Sequence, residues 1–490
     1  MGAADAVAAA KHAQPEWAAL PTPTRLDRLQ AVRRSIADDP HAWAEATTRP
    51  ERSLAQVLAA EVGPLADAVQ WLDQHGAKTL RPRRGEGDRF GWLKPGSLAL
   101  RVERKPLGVV LVIGAGNYPL FLLAAPAVQA LAAGNAALLK PPPGGEAAAQ
   151  KLHEVLVAGG VDPRLCPVLD STVEAAEQAI DAGVDHIVAT GSAGTGRAVA
   201  RRAAETLTPC TLECSGSDAV VVLPGADLNR VADCLAWALP FNNGATCIGP
   251  RRLITADTSG SIAEIVLERF ESMGVCPVSP ATADAVRDVV GREIDAGAVL
   301  HCPAGWGRAE LDAACAERRL PPVVLMPSRS PTPLADHDLF APVLSIEIAR
   351  GADEAIRWAN ASPYALGASV FGPPAEAEAV ARRLRAGCVT VNDVIAPTAD
   401  PRVPFGGTGE SGYGVTRGRE GLLAMTRPQA VVRRRGSWLP HLDPETPALA
   451  DLIAGMIQSR HATGLAAKWR AMRRFMTAAG LHQNQKKDRE

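Results

Sequence analysis

The sequence predicts an α/β protein built on a doubly wound, mostly parallel sheet. Three observations carry that prediction. From Leu107 onward, short apolar strands alternate with helical stretches, at Val109–Ile113, Ala136–Leu139, Leu165–Leu169, His186–Val188 and Ala219–Leu223. Apart from His186, those runs are apolar rather than alternating, as strands covered on both faces should be. At 490 residues, with 47% hydrophobic and 21% charged side chains, the chain suits two or three domains rather than one core.

The first 80 residues are rich in alanine with helical spacing of apolar positions, broken near Pro21-Thr-Pro23 and Asp39-Pro40, and read as a helical cap. Ser97–Arg104 alternates apolar and polar residues, the pattern of a half-exposed strand. Leu120–Leu139 is apolar enough to span a bilayer of about 30 Å, but Pro126, Gln129, Gly134 and Asn135 interrupt it. A buried strand, helix and second strand fit it better. Beyond Cys247, Val343–Ile348 and Ala368–Phe371 read as further strands.

The balance of 52 Lys and Arg against 53 Asp and Glu excludes a nucleic-acid binder and a disordered chain. Nine cysteines, unpaired in spacing, fit a reducing cytoplasm; Cys210 and Cys214 lack a second ligand pair, so they read as packing residues and no metal site is expected. No stretch at the N-terminus resembles a secretion signal. After residue 437 the chain forms a basic tail. Leu449, Leu452, Ile453, Met456 and Ile457, then Leu465, Trp469, Met472 and Met476, follow helical spacing, and Ile457–Glu490 holds eight Lys and Arg against two acids. Such a helix either docks on its own or a neighbouring subunit or rests peripherally on an anionic membrane.

Two short motifs carry the chemistry. Glu213, in Thr-Leu-Glu-Cys-Ser-Gly, is followed 34 residues later by Cys247, in Asn-Gly-Ala-Thr-Cys-Ile-Gly-Pro-Arg-Arg. A thiolate close to a carboxylate can form a thioester, and the carboxylate can activate the water that hydrolyses it. Asn117 follows a strand and glycines in Ile-Gly-Ala-Gly-Asn-Tyr-Pro. Thr190-Gly-Ser-Ala-Gly-Thr-Gly-Arg197 follows a strand and should open a helix, whose N-terminal amides suit a pyrophosphate.

These motifs, in this order and separation, resemble the aldehyde dehydrogenase superfamily, with matching segments from about residue 100 to about residue 432. The resemblance implies Cys247 as nucleophile, Asn117 as an oxyanion donor with the backbone N–H of Cys247, and Glu213 as the base for deacylation. It implies NAD or NADP as cofactor. Lys140 would contact the adenosine ribose, Thr190, Gly191 and Ser192 the pyrophosphate, and Asp338 and Phe340 the nicotinamide ribose. Pro143 stands where an acid would favour NAD, so neither nucleotide is selected.

Several positions depart from the family pattern. Ala245 replaces a common glutamine, Cys214-Ser215-Gly216-Ser217 replaces Leu-Gly-Gly-Lys, and Asp338 is one methylene shorter than the usual glutamate. Gly116 replaces a bulky aromatic residue, from which a wider substrate tunnel is expected. The implied architecture has a dinucleotide-binding domain at 1–88 and 107–212, oligomerisation strands at 89–106 and 428–436, a catalytic domain at 213–427 and the tail at 437–490. The expected activity is hydrolytic oxidation of an aldehyde, in style closest to the branch acting on fatty or aromatic aldehydes, by a homodimer or homotetramer. The alternatives are a coenzyme A-acylating enzyme and a catalytically idle, nucleotide-binding paralogue.

Overall fold

The computed structural model describes residues 2–47, 52–85, 98–256, 261–271, 273–302, 305–434, 440–442 and 444–487. The chain forms two compact units, Met1–Leu80 with Lys105–Arg427, and Arg81–Arg104 with Pro428–Glu490.

Two sheets organise the first unit. The five-stranded sheet runs in the order Gly412–Tyr413, Cys210–Cys214, His186–Gly191, Val109–Ile113, Ala136–Lys140. Its four longer strands are parallel and Gly412–Tyr413 is an antiparallel edge. Every residue of Val109–Ile113 and Ala136–Lys140 is buried, which explains their continuous apolar character. The seven-stranded sheet runs Val299–Cys302, Val323–Met326, Val343–Ile348, Pro250–Thr255, Asp218–Val222, Gly367–Phe371, Cys388–Val391, parallel except for its first strand.

The Ala219–Leu223 run falls on the strand Asp218–Val222 of the second sheet, the chain crossing from one sheet to the other within Ser215–Ser217. One sequence expectation needs correction. Leu165–Leu169 is not a strand. A 3₁₀ turn covers Pro163–Leu165, and only one parallel bridge, Leu139 to Val168, follows. Pro163 and Pro167 lack the N–H groups a full ladder would require.

The apolar stretch folds as a strand-flanked helix, Phe121–Ala133, that ends where Gly134 takes φ 97°. Its polar interruptions are anchors. Asn135 accepts from the N–H groups of Leu107 (2.6 Å) and Gly108 (2.9 Å) and donates to the carbonyl of Met425 (2.9 Å). The N-terminal helices Ala3–Ala19 and Thr22–Asp38 break at the expected prolines and dock on this helix, Trp17 Nε1 donating to Leu131 O at 2.9 Å. Among the described residues no helix is long and apolar enough to cross a membrane.

Arg83–Arg84, Leu98–Pro106 and Thr426–Arg434 form a three-stranded sheet, most of whose residues belong to the second unit. Parts of the expected oligomerisation strands, residues 89–97 and 435–436, lie outside the described residues, as do 437–439, 443 and 488–490 of the tail. The tail forms two helices, Pro447–His461 and Leu465–Lys487. Their seam is made of small residues. A Cβ on Gly455 would stand 2.8 Å from the Phe475 backbone nitrogen, and Ala471 and Ala478 are buried. Thr446 Oγ1 and His482 Nδ1 share a hydrogen bond at 2.7 Å. The second half of the apolar stripe read from the sequence lies elsewhere, with Leu465 80%, Trp469 69% and Met476 65% exposed, while Leu449, Leu452, Ile453 and Met456 of the first helix are half-buried.

Candidate active site

Cys247 lies between the helical turn Phe241–Gly244 and the strand Pro250–Thr255 of the second sheet. Three successive residues, Asn242, Asn243 and Gly244, take φ of 54°, 56° and 75°. Asparagine tolerates this left-handed region better than most residues. Gly244 has no substitute, since a Cβ there would meet the carbonyl carbon of Ala341 at 2.5 Å. The loop is fixed from below by Arg251, whose Nη2 donates to Gly244 O (2.6 Å) and Thr246 O (3.2 Å), and laterally by a 2.7 Å hydrogen bond between Thr246 and Tyr118 hydroxyls. Cys247 is half-buried, and burial pushes its thiol up to about 12. The negative charges of Asp218, Glu213 and Asp338 add to that rise and the Arg417 guanidinium opposes it.

Asn117 reaches the same loop. Its Nδ2 donates to Ala245 O at 3.1 Å, two residues before Cys247, and its backbone carbonyl accepts from Asn242 Nδ2 at 3.0 Å. A primary amide carries two N–H groups, so one bond to Ala245 leaves a second donor.

Glu213 is held by strand pairing on both sides, in register with Thr190 and with Gly412. Its carboxylate, 4% exposed, accepts from the Thr416 hydroxyl. Burial raises its pKa, while Arg417, Thr416 and Thr190 draw it back down. Gly216 lets the segment after Glu213 approach the Cys247 loop. A Cβ there would stand 2.7 Å from Cys247 O and 2.4 Å from Asp218 Oδ1.

These residues line one cleft of about 890 Å³, together with Thr190, Gly191, Ser192 and Phe340. Seven of the nine site residues expected from sequence therefore meet there. Lys140 and Asp338 do not line it. Lys140 is buried at the end of its strand, where desolvation lowers its pKa against the pull of Asp170 and Glu146. The Asp338 carboxylate bonds Ser215 and the Phe340 N–H (3.4 Å) and faces Arg251, while burial raises its pKa. Gly116 does form part of the cleft wall.

Sequence reasoning missed several neighbours. Cys214, read as a packing residue, lines the cleft and packs under Gly196, whose added Cβ would meet its Sγ at 2.5 Å. Arg52 is 7% exposed, pairs with Glu61 at 2.5 Å and stands 5.2 Å from the Tyr118 ring centroid. Arg417 and Thr416 lie beside Glu213. No motif marks them, although Arg52 and Glu61 lie nine residues apart in a helical stretch that a search for buried charge pairs could have joined.

The strand His186–Gly191 delivers Gly191 and Ser192 to the start of the Ala193–Glu205 helix. Ser192 Oγ caps it by accepting from Thr195 N at 3.1 Å, and no acidic side chain occupies the first turn. A Cβ on Gly191 would crowd Thr195 at 3.1 Å. Free amides, the positive end of the helix and a bare glycine surface fit the pyrophosphate of a dinucleotide.

A thiol, a carboxylate and an amide thus line one cleft of an α/β protein, beside the N-terminus of a helix. The profile of the aldehyde dehydrogenase family matches residues 2–431, and the chain belongs to that family. It is 28% identical to a 4,4'-diapolycopene aldehyde oxidase of Methylomonas sp, over 87% of this chain and 81% of that one. It is 32% identical to the dimeric NADP-preferring aldehyde dehydrogenase of Mus musculus, over 68% and 74%. The crystal structure of a Mycobacterium tuberculosis aldehyde dehydrogenase complexed with NAD+ aligns with TM-score 0.79 at 26% identity, covering 89% of this chain and 92% of that one. The protein is an NAD(P)-dependent aldehyde dehydrogenase, oxidising an aldehyde to the carboxylic acid.

Proposed function

We propose that Cys247 is the nucleophile, Asn117 the oxyanion donor and Glu213 the deacylation base of a hydrolytic aldehyde dehydrogenase. The observation that carries this reading is the single cleft lined by all three, with the Asn117 amide bonded two residues from the thiol. The Cys247 sulfur, once deprotonated, forms a C–S bond to the aldehyde carbon while the carbonyl electrons move to oxygen. That oxygen is held by the remaining Asn117 N–H and the Cys247 backbone N–H. A bound nicotinamide supplies the acceptor for the hydride that leaves the substrate carbon. Glu213 then takes a proton from water, the hydroxide adds to the Cys247 thioester, and the C–S bond breaks to release acid and thiol.

Thr190, Gly191 and Ser192 would hold the pyrophosphate, with Phe340 against the nicotinamide side. Lys140 would serve the adenosine ribose and Asp338 the nicotinamide ribose, each turning from its present surroundings towards the nucleotide. The dinucleotide-binding part would comprise 1–88 and 107–212 and the catalytic part 213–427. An apolar aldehyde, aliphatic or aromatic, suits a cleft walled by Leu122, Leu366 and Phe405 beside Gly116. A cytoplasmic homodimer or homotetramer would form through 89–106 and 428–436, and the exposed stripe of Leu465–Lys487 would be covered by a neighbouring subunit.

The test follows absorbance at 340 nm with short, long-chain and aromatic aldehydes and NAD or NADP, with and without coenzyme A. Reduction without coenzyme A, lost in Cys247→Ser while nucleotide still binds, is the expected result. Strict dependence on coenzyme A would replace this reading with the acylating one, which a retained Glu213 disfavours because a thiol acceptor needs no water-activating base.

A further inference from the structure

Arg417 belongs to no motif read from the sequence, yet its side chain and its backbone are both held. Its guanidinium carbon lies 4.0 Å from the Phe405 ring centroid and 5.6 Å from that of Phe121. Nη1 donates to Thr398 O at 2.8 Å. The backbone N–H donates to Gln129 Oε1 at 3.2 Å, and Gln129 Nε2 donates to Gly418 O at 3.3 Å, so one side chain of the Phe121–Ala133 helix grips both ends of the turn. Arg417 itself takes φ 59°. A long side chain adopts that left-handed conformation only where its surroundings impose it, and such residues cluster at functional sites.

The preceding residue, Thr416, donates its hydroxyl to Glu213. One dipeptide thus presents a hydrogen-bond donor and a cation to the same carboxylate. Glu213 is faced by Arg417, Thr416 and Thr190. Cys247 is faced by Asp218, Glu213, Asp338 and Arg417, and its charge is also felt by Arg251 and Tyr118. Three carboxylates therefore oppose formation of a thiolate at Cys247. Phe405, on which the Arg417 guanidinium stacks, lines the cleft with Cys247 and Glu213, and Thr416 next to Arg417 bonds Glu213, so this cation stands where its charge favours the charged form of both.

We propose that Arg417 is a positioning residue, a fixed cation that with Thr416 keeps Glu213 as a carboxylate and offsets the negative field around Cys247 so that its thiolate can form. The proposal rests on the roles given above to Cys247 and Glu213. It explains how a half-buried thiol among carboxylates becomes nucleophilic: the compensating charge comes from the turn that holds the base. Removing the cation should affect both half-reactions, thiolate attack and deacylation.

The experiment measures the pH dependence of Cys247 alkylation by iodoacetamide, read by peptide mass spectrometry on the full-length protein. Wild type is compared with Arg417→Gln, Arg417→Met and Arg417→Lys, and nucleotide binding reports folding. The Gln and Met variants are expected to bind nucleotide and to alkylate about tenfold more slowly at a given pH, a shift of about one unit towards alkaline pH. Their kcat should fall more than KM rises. The Lys variant should recover most of the alkylation rate, because it restores the charge though not the planar stacking. A wild-type profile in either neutral variant overturns the role of Arg417 while leaving Cys247 and Glu213 in place. Equal loss in Lys and Gln also overturns it, marking the side chain as packing rather than charge. Turnover by Cys247→Ser would overturn the nucleophile assignment and this proposal with it.

Discussion

Glu61→Ala should be among the most damaging single substitutions in this chain that touches no substrate. Glu61 is 0% exposed, and both oxygens are committed. Oε1 meets Arg52 Nη1 at 2.5 Å, and Oε2 accepts from the backbone N–H groups of Leu120 (2.8 Å) and Phe121 (3.1 Å) at the start of the Phe121–Ala133 helix. Truncation leaves a buried guanidinium without its counter-charge and two amides without acceptors. Breaking a buried pair from one side costs about 3–5 kcal/mol. The unfolding entropy is about 2.1 cal/mol/K per residue, so over the roughly 400 residues of the first unit a loss of about 4 kcal/mol lowers the thermal midpoint by about 5 °C. Thermal unfolding followed by circular dichroism reads this directly. Glu61→Gln, which keeps an acceptor for the helix amides, should lose less. The double variant Arg52→Met with Glu61→Leu should recover part of the midpoint, because an apolar pair leaves no charge unpaired. Arg52 Nη1 also donates to Asn117 O at 3.3 Å, so kcat should fall in the single variant. A midpoint change below about 1 °C in Glu61→Ala, or a double variant worse than the single, would refute the reasoning.

Three further outcomes are expected. Glu213→Gln should retain a rapid first turnover of reduced cofactor while its steady rate falls, since only deacylation loses its base; stopped-flow absorbance at 340 nm checks this, and an unchanged steady rate removes Glu213 from the mechanism. Asn117→Ala should lower kcat by about a hundredfold to a thousandfold, the effect of losing one oxyanion donor, with nucleotide affinity unchanged by fluorescence titration. Burial raises Asp218 to about 7, against its Gly367 N–H bond and the charges of Arg251 and Arg252, so between about pH 4 and 7 the folded protein keeps a proton that the unfolded chain has lost. Its contribution to stability falls as pH rises through that window, and denaturation at pH 5 and 8 should show Asp218→Asn gaining on wild type at the higher pH.

The strands that sequence located correctly are those whose environment is uniform along their length. Val109–Ile113 and Ala136–Lys140 are buried at every position, so a bare apolar run is the right signal. The Leu165–Leu169 run carries the same signal, but the prolines at 163 and 167 remove ladder donors, leaving one bridge. Nothing in Ala219–Leu223 could reveal which sheet it joins, because that depends on a crossing made by Ser215–Ser217, and registry with Pro250–Thr255 is a non-local property. The tail shows the same limit in another form. Its apolar stripe has helical spacing, but the partner helix packs through Gly455, Ala471 and Ala478, small residues that a hydrophobic pattern ranks low.

The candidate site divides in the same way. Cys247, Glu213, Asn117 and Gly191 occur in short motifs because each needs a local backbone shape, and local shape is written in adjacent residues. Glu61, Arg52, Thr416 and Arg417 act through pairings spanning between nine and more than two hundred positions, such as the bond from Thr416 to Glu213, and carry no local signature. Burial then determines what those pairings do. The carboxylates of Asp218 and Glu213 would make Cys247 a poor nucleophile, and the interruption of the apolar stretch at Gln129 reads from sequence alone only as evidence against a membrane span. In the folded chain the same glutamine holds Arg417 in its left-handed turn, with the cation beside Glu213. The residue that spoils an apolar segment and the arginine next to the Glu213 partner Thr416 are thus linked by one hydrogen bond across 288 positions, a link that only the fold makes.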